Sequence, residues 1–200
     1  MNTAHDSIRK CHALWYVIAV DRPCTDPVLD KTLSMYAERF PGALAIIVTH
    51  SDHQVFDGEG IAADMREKGQ SVGDYAEPTR RKTALMGQLV QVNARLRRKV
   101  SSERKLQYHD EKSEVEAQIE EVGNGAFEAI VDVRNNHVAS TLKKEKQKYI
   151  PAGCSLSVYC VSNTEYATHQ RPHARRQLSV DSTGIPELRS FALGLAAPAV

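Results

Sequence analysis

The chain has 200 residues and a mass of 22.2 kDa, with 42% apolar and 26% charged residues. These values are typical of a globular protein that can bury one sizeable core. The net charge of +1 provides no strong field for nucleic acid or anionic lipid, so nucleic-acid binding is not expected. No apolar stretch approaches the roughly 18 residues of a membrane-spanning helix, and we expect no membrane span.

The first third of the chain has the pattern of a β-α-β unit. Residues 14–20 are a continuous apolar run without a polar face, which predicts a strand covered on both sides. Residues 25–27 (Thr-Asp-Pro) predict the start of a helix, and residues 41–42 (Pro-Gly) predict its end. Residues 43–48 form a second buried run, so the sequence favours two parallel strands joined by a helix.

A charged segment without proline follows, from residue 79 to residue 148. Four apolar residues in it recur with the 4-3-4 spacing of one helix face. These residues are Leu85, Leu89, Val92 and Leu96. The pattern predicts one long helix to about residue 122, a break at residues 123–125 (Gly-Asn-Gly), and a second helix over residues 127–148. We therefore expect an antiparallel helical hairpin inserted into the sheet domain, with too short an apolar stripe for a long coiled coil.

The last quarter of the chain returns to the sheet pattern. Residues 156–161 predict a third strand, followed by a polar loop, and residues 185–193 predict a closing helix. The fold class is therefore α/β, with a partial parallel sheet of about three strands and a long helical insertion. We expect three segments: the first part of the α/β domain (1–75), the hairpin (76–150), and the last strand with the closing helix (151–200).

Polar residues follow the second and third strands, at the sheet edge where ligands bind in open α/β folds. Thr49, His50 and Asp52 follow the second strand, and Ser162 and Asn163 follow the third. A carboxylate at the first position can accept hydrogen bonds from the N1–H and the exocyclic amine of guanine, a pattern that adenine does not offer. The alternative interpretation is that neither loop binds a ligand. Asp52 then serves only to turn the chain after the second strand, and Ser162 and Asn163 are an ordinary exit from the third strand.

Four stretches together resemble the part of a GTPase domain that follows the second switch. They are residues 7–26 (SIRKCHALWYVIAVDRPCTD), 43–52 (ALAIIVTHSD), 157–166 (SVYCVSNTEY) and 183–191 (TGIPELRSF). The chain is similar to dynamin-like large GTPases, in particular the nuclear germinal-centre GTPase group and its fungal relatives. This resemblance implies the C-terminal half of a P-loop-NTPase-like domain, with a long helical insertion before the last motif.

The resemblance also implies roles for individual residues. Thr49 matches the first residue of the guanine-reading N/T-K-x-D motif, and Asp52 matches its base-binding carboxylate. His50 stands where the family has a lysine, whose stem covers the base and whose ammonium braces the phosphate loop. Ser162 and Asn163 match the last base-contacting loop. An imidazole can stack on a base but cannot brace the phosphate loop.

The sequence contains no match to G-x-x-x-x-G-K-[ST], the loop whose amides and lysine hold the phosphates of a nucleotide. Two D-x-x-G patterns, at residues 57–60 and 181–184, follow the Thr49–Asp52 element and so occur in the wrong order for a second switch. We therefore expect at most weak GTP or GDP binding, no magnesium site and no autonomous hydrolysis. On this interpretation the chain is a truncated or degenerate GTPase-like protein.

Two alternatives remain open. The chain is a non-enzymatic module that binds a protein partner or itself through the hairpin, or it is a fragment of a longer active GTPase. A metal site formed by His50, His53 and Asp57 is favoured less, because polar loops often cluster such residues without metal. The four cysteines are sparse and irregularly spaced, which disfavours a disulfide framework and favours an intracellular protein. A short basic stretch at residues 171–176 leaves nuclear and cytoplasmic locations equally open.

Overall fold

The computed structural model describes residues 8, 11–21, 25–52, 67, 76–172 and 174–196. The described residues form a mixed α/β structure with a three-stranded parallel sheet in the order β1-β2-β3. The strands are β1 (Leu14–Ala19), β2 (Leu44–Thr49) and β3 (Leu156–Val161). The α-helices with defined bounds are α1 (Pro27–Tyr36), α2 (Ala76–Leu96), α3 (Ser102–Lys146), α4 (Asn163–His169) and α5 (Ile185–Ala196).

The chain divides into two compact units. The first combines residues Met1–Phe56 with Val131–Val200 and contains the sheet, and the second comprises residues Asp57–Ile130. Helix α3 contributes residues to both units, with its last part in the first unit. The predicted parallel arrangement of three strands is confirmed, as are the helix between β1 and β2 and the closing helix.

One face of the sheet carries the main core of the first unit. The register places Leu44 of β2 between Leu14 of β1 and Leu156 of β3, so alternate residues of all three strands share this face. It packs against Leu29 and Leu33 of α1 and against the last turns of α3. Both leucines of α1 are fully buried, and burial of such a side chain contributes about 1.5–3 kcal/mol to folding. The apolar run of β2 is buried because it is the central strand.

Strand β1 differs from its prediction, since it is not covered on both sides. Trp15 and Val17 face away from the main core and remain 38% and 61% exposed. Helix α5 covers part of this second face through Phe191, whose ring contacts Trp15 at 6.2 Å and Tyr159 at 5.2 Å between centroids. An apolar run alone does not distinguish a central strand from an edge strand, and β1 is an edge strand.

The predicted start of α1 is confirmed. Asp26 caps the helix, with its carboxylate accepting a hydrogen bond of 2.8 Å from the N–H of Val28. The second carboxylate oxygen of Asp26 accepts a hydrogen bond from the Tyr16 hydroxyl at 2.8 Å. The side chain of Asp26 therefore caps α1 and also connects this helix to β1 through Tyr16.

The second unit contains a helical hairpin whose turn lies elsewhere than predicted. Helix α3 continues through Gly123 and Gly125, and the chain reverses between α2 and α3 at residues 97–101. The Oγ of Ser101 accepts from the N–H of Arg104 at 3.4 Å, as an N-capping serine does. Each glycine costs a helix only about 1 kcal/mol relative to alanine, which the packing along a long helix offsets.

The two helices of this hairpin run antiparallel. Arg95 of α2 forms an ion pair of 3.2 Å with Glu111 of α3, close to the turn. Farther from the turn, Gly123 of α3 approaches the side chain of Lys82. Three apolar residues of the hairpin are buried, namely Leu85, Val92 and Val115.

Candidate functional site

The carboxyl ends of the three strands lie side by side in register. Thr49 of β2 is aligned with Ala19 of β1 and with Val161 of β3. Past the strand ends, the N–H of Ser51 donates to the carbonyl of Val161 at 3.2 Å, so the loop after β2 is attached to the end of β3. The predicted site residues after β2 and after β3 are therefore on neighbouring loops at one edge of the sheet.

His50 has a strained backbone at this edge. Its φ is +58°, and among the described residues it is the one non-glycine with a positive φ. The left-handed conformation costs an L-residue roughly 1–2 kcal/mol, and such strain is concentrated at functional sites. The ring is exposed, and its Nδ1 lies 3.2 Å from the Oγ1 of Thr49. The Thr49 hydroxyl also donates to the carbonyl of Ile18 at 3.3 Å, which fixes the last residue of β2 against β1.

Ser51 and Asp52 follow in a tight turn. Ser51 is fully buried, and its Oγ has no hydrogen-bond partner among the described residues. A buried hydroxyl without a partner costs about 1–3 kcal/mol, so such an atom calls for a functional explanation. Asp52 is half-buried in the same loop.

Arg134 of α3 is the residue of the site that the sequence pattern did not indicate. Its Nη2 donates to the carbonyl of Ser51, and its charge interacts with the carboxylate of Asp52 and with Cys160. Burial lowers the pKa of the Arg134 guanidinium, while Cys160 and Asp52 act in the opposite direction. The guanidinium of Arg134 therefore anchors the backbone of the loop after β2 through the carbonyl of Ser51. The sequence does not distinguish Arg134 from the other charged residues of this long helix, so its contact with the loop after β2 could not be predicted.

Ser162 is used by the fold itself. Its N–H donates to the carbonyl of Thr183 at 2.9 Å, and its Oγ accepts from the N–H of Glu165 at 3.1 Å. The amide and the hydroxyl of Ser162 are thus both engaged within the fold. Asn163 is exposed as the first residue of α4. The helix itself was predicted as a polar loop, although Ser162-x-x-Glu165 is a capping-box pattern that indicates a helix start.

A polar cavity of about 230 Å³ lies beside β3, between α3 and the loop before α5. Its charged lining is mostly acidic, with Asp132, Asp181 and Glu187 against Lys143. Cys160 also lines it, and burial raises the pKa of that thiol to about 12, so the group is protonated at neutral pH. The cavity is smaller than the roughly 300–1,000 Å³ of pockets for drug-sized ligands, and its charge disfavours phosphate groups.

The described residues contain no cluster of three histidine, cysteine or acidic side chains with metal-binding geometry. His53 and Asp57 of the alternative metal-site hypothesis lie outside the described residues. Within the described ranges, no helix combines the length and the apolar composition that crossing a bilayer requires. Family models, curated proteins and solved structures give no match to this chain.

Proposed function

We propose that the chain is a degenerate GTPase-like protein whose loops after β2 and β3 bind the base of a guanine nucleotide weakly, without hydrolysing the nucleotide. The single observation that carries the proposal is the hydrogen bond from Ser51 to Val161, which brings the two candidate loops together at the carboxyl edge of a parallel sheet. Ligands of open α/β sheets bind at this edge. The P-loop-NTPase-like character of the sheet is part of the same proposal.

Asp52 is the residue that reads the base. Its carboxylate accepts hydrogen bonds from the N1–H and the exocyclic amine of guanine, and Arg134 supports the loop that carries it by donating to the carbonyl of Ser51. Adenine carries no hydrogen on N1 and has its amine on the other side of that atom, so it leaves the carboxylate unpaired. Loss of a buried polar pair is the kind of penalty that makes a site selective.

Thr49 and His50 position this carboxylate. The Thr49 hydroxyl anchors the strand end to Ile18, and the positive φ of His50 turns the chain so that the next two residues return toward β3. We expect the imidazole of His50, an exposed residue, to stack on one face of the base. Asn163 contributes an exposed side chain at the start of α4, directly after Ser162.

The expected affinity is low because the sequence has no phosphate-binding loop. Hydrogen bonds to a charged group contribute about 1.5–3 kcal/mol each. Two of them contribute about 3–6 kcal/mol, which an association cost of about 4–15 kcal/mol largely offsets, so we expect a Kd weaker than about 1 mM. GDP and GTP therefore bind equally well, and magnesium has no effect on binding.

Titration of the purified chain with GDP, GTP and ATP, monitored by ligand-observed NMR, tests the proposal. We expect guanine-selective binding that Asp52→Ala abolishes. Asp110→Ala is the matched control, because Asp110 is an exposed acid on α3 in the second unit. Binding of ATP as strong as that of GDP, or binding unchanged by Asp52→Ala, contradicts base recognition. Micromolar, magnesium-dependent GDP binding contradicts the absence of a phosphate site.

A second candidate function is protein binding through the hairpin of the second unit. Met86 and Val90 lie one turn apart on α2 and are 54% and 69% exposed. Adjacent exposed apolar side chains of this size often mark a surface that binds another protein. Substitution of both by lysine is expected to remove hairpin-dependent partners from a pulldown. If every partner persists, this candidate is excluded, and Thr79→Lys together with Thr83→Lys on the same helix controls for added charge.

A further inference from the structure

The outer edge of β1 is unpaired in the part of the chain that the structure describes. The N–H of Leu14 donates to Ala43 at 3.0 Å and the N–H of Val20 donates to Thr49 at 3.1 Å, so the even-numbered residues direct their backbone groups toward β2. Successive residues of a strand direct these groups to opposite sides. The N–H and C=O groups of the three alternate residues between them therefore point to the open edge. These residues are Trp15, Val17 and Ala19.

The side chains of the same three residues lie on the partly covered face of the sheet. All three are exposed, and Val17 is the most exposed of the large ones at 61%. The strand contains no charged residue and no proline, which are the usual means of protecting an edge from pairing with another chain. An apolar edge with free backbone groups is a template for an added strand.

We propose that β1 pairs with β1 of a second copy of this chain, forming a two-fold dimer with a continuous six-stranded sheet. The same edge of two identical sheets meets itself only through a two-fold axis, which makes the new pair antiparallel. An axis at Val17 places Val17 opposite its own copy and Trp15 opposite Ala19 of the second copy. Each large indole then lies beside the smallest side chain of the strand, which is the size complementarity that a second copy offers and an unrelated strand does not.

The ends of the strand support the same antiparallel arrangement. His12 precedes β1 and Asp21 follows it, and both are exposed. Antiparallel pairing about Val17 brings Asp21 of one copy to the end of the strand where His12 of the other copy lies. An aspartate of one copy therefore lies near a histidine of the other, and the two side chains can form a hydrogen bond. The apolar middle of the strand carries no charge that would oppose association.

Sedimentation velocity of the full chain over a range of concentrations tests the proposal. We expect a concentration-dependent dimer, because one added strand pair is a small interface. Val17→Lys and Val17→Glu each place like charges directly across the axis and are expected to weaken dimerisation at least about tenfold. An equimolar mixture of the two variants is expected to restore the dimer, because lysine then faces glutamate. A folding defect does not produce this rescue, and the side chain is exposed, so circular dichroism should remain unchanged.

Cysteine cross-linking tests the register independently. Val17→Cys is expected to form a disulfide-linked dimer under mild oxidation, since Cα atoms of a hydrogen-bonded antiparallel pair lie about 5.5 Å apart. Ala19→Cys is the matched control. We expect it to form no more disulfide-linked dimer than the parent chain, because Ala19 faces Trp15 of the second copy. A parent chain that is monomeric at all concentrations overturns the proposal. So does a dimer that survives both charged variants, or one that links equally well at both positions.

Discussion

Replacement of Asp30 by alanine is expected to cost this protein a large part of its stability. Asp30 of α1 forms an ion pair of 2.7 Å with Lys146 at the end of α3, and its other carboxylate oxygen accepts from the Tyr149 hydroxyl at 3.1 Å. Lys146 is only 3% exposed, whereas the Asp30 side chain is 32% exposed. The substitution therefore leaves a buried ammonium group without its carboxylate.

Removal of one partner from a buried ion pair costs about 3–5 kcal/mol. Because total stabilities are about 5–15 kcal/mol, this one substitution is expected to remove at least about a fifth of the stability. The pair itself stabilises the fold much less, so Asp30→Ala combined with Lys146→Met is expected to recover most of the loss. The exposed pair of Lys112 and Glu116 at 3.5 Å is the matched control, and Glu116→Ala should cost less than about 0.5 kcal/mol.

The pH dependence has a definite sign. Burial acts to raise the pKa of Asp30, but the hydrogen bonds from Lys146 and Tyr149 outweigh it, so the pKa lies below its ordinary value. A carboxylate with a lowered folded pKa stabilises the protein above its unfolded pKa of about 3.9, and this stability is lost as pH falls through the folded value. The difference between parent and Asp30→Ala is thus full at pH 7 and shrinks below pH 4.

Urea unfolding followed by circular dichroism at pH 7 and at pH 3 measures these differences. We expect a large loss of stability in Asp30→Ala, a small one in Glu116→Ala, and recovery of most of the stability in Asp30→Ala combined with Lys146→Met. A loss below about 1 kcal/mol in Asp30→Ala, or a double variant no more stable than the single one, refutes the argument that Lys146 is buried against Asp30.

Three further predictions concern single positions. Gly184→Ala should destabilise the protein by about 1–3 kcal/mol more than Gly153→Ala in thermal melts. Both glycines have a positive φ, but an added Cβ at Gly184 collides with a backbone carbonyl of β3, whereas the space at Gly153 is open. Equal losses of stability in the two variants contradict this prediction. Gly125→Ala should stabilise the protein by roughly 0.5–1 kcal/mol in urea unfolding, because the position is helical and has space for a Cβ. A loss of stability in this variant would instead indicate that the helix is interrupted at residue 125, as the sequence predicts. Burial and the hydrogen bond to Asp26 raise the pKa of Tyr16 to about 12. The contribution of Tyr16 to the stability of the fold is therefore complete below pH 10 and is lost as pH rises through 12. The difference between absorbance titrations of the parent and of Tyr16→Phe gives the titration midpoint of Tyr16, and a midpoint near 10 contradicts the prediction.

The sheet was predictable from the sequence because its signals are local. Residues 156–161 form β3 as predicted, and the start of α1 follows from Asp26 and Pro27, whose conformational preferences act within one turn. The exposure of β1 was not predictable, because it depends on which strand is central. Position in the strand order is a property of the whole sheet rather than of the strand.

The hairpin turn was misplaced for a different reason. Gly123 and Gly125 are the strongest helix breakers of the segment, but their cost is about 1 kcal/mol each and packing of the surrounding helix offsets it. The true turn ends at Ser101, a weaker signal that acts through one capping hydrogen bond. Arg134 was missed because its role depends on a backbone carbonyl 83 positions away in the chain.

The candidate site was predictable in position and only partly in chemistry. The rule that ligands bind at the carboxyl ends of parallel strands places Asp52 and Asn163 at one edge of the sheet before any coordinates are known. The use of Ser162 is different, because its amide and hydroxyl serve the fold through Thr183 and Glu165. Small polar residues at a strand end satisfy a ligand and a helix cap equally well, so the sequence leaves the two open.

An exchange of base specificity at Asp52 tests the central claim most directly. Xanthine carries a carbonyl oxygen where guanine carries its exocyclic amine, so Asp52→Asn exchanges an acceptor for a side chain that also donates. If Asp52 reads the base, ligand-observed NMR will show guanosine binding to the parent, and Asp52→Asn will prefer xanthosine. Guanosine binding that is absent from the parent, or a preference that the substitution leaves unchanged, contradicts the claim that the loops after β2 and β3 form a guanine site.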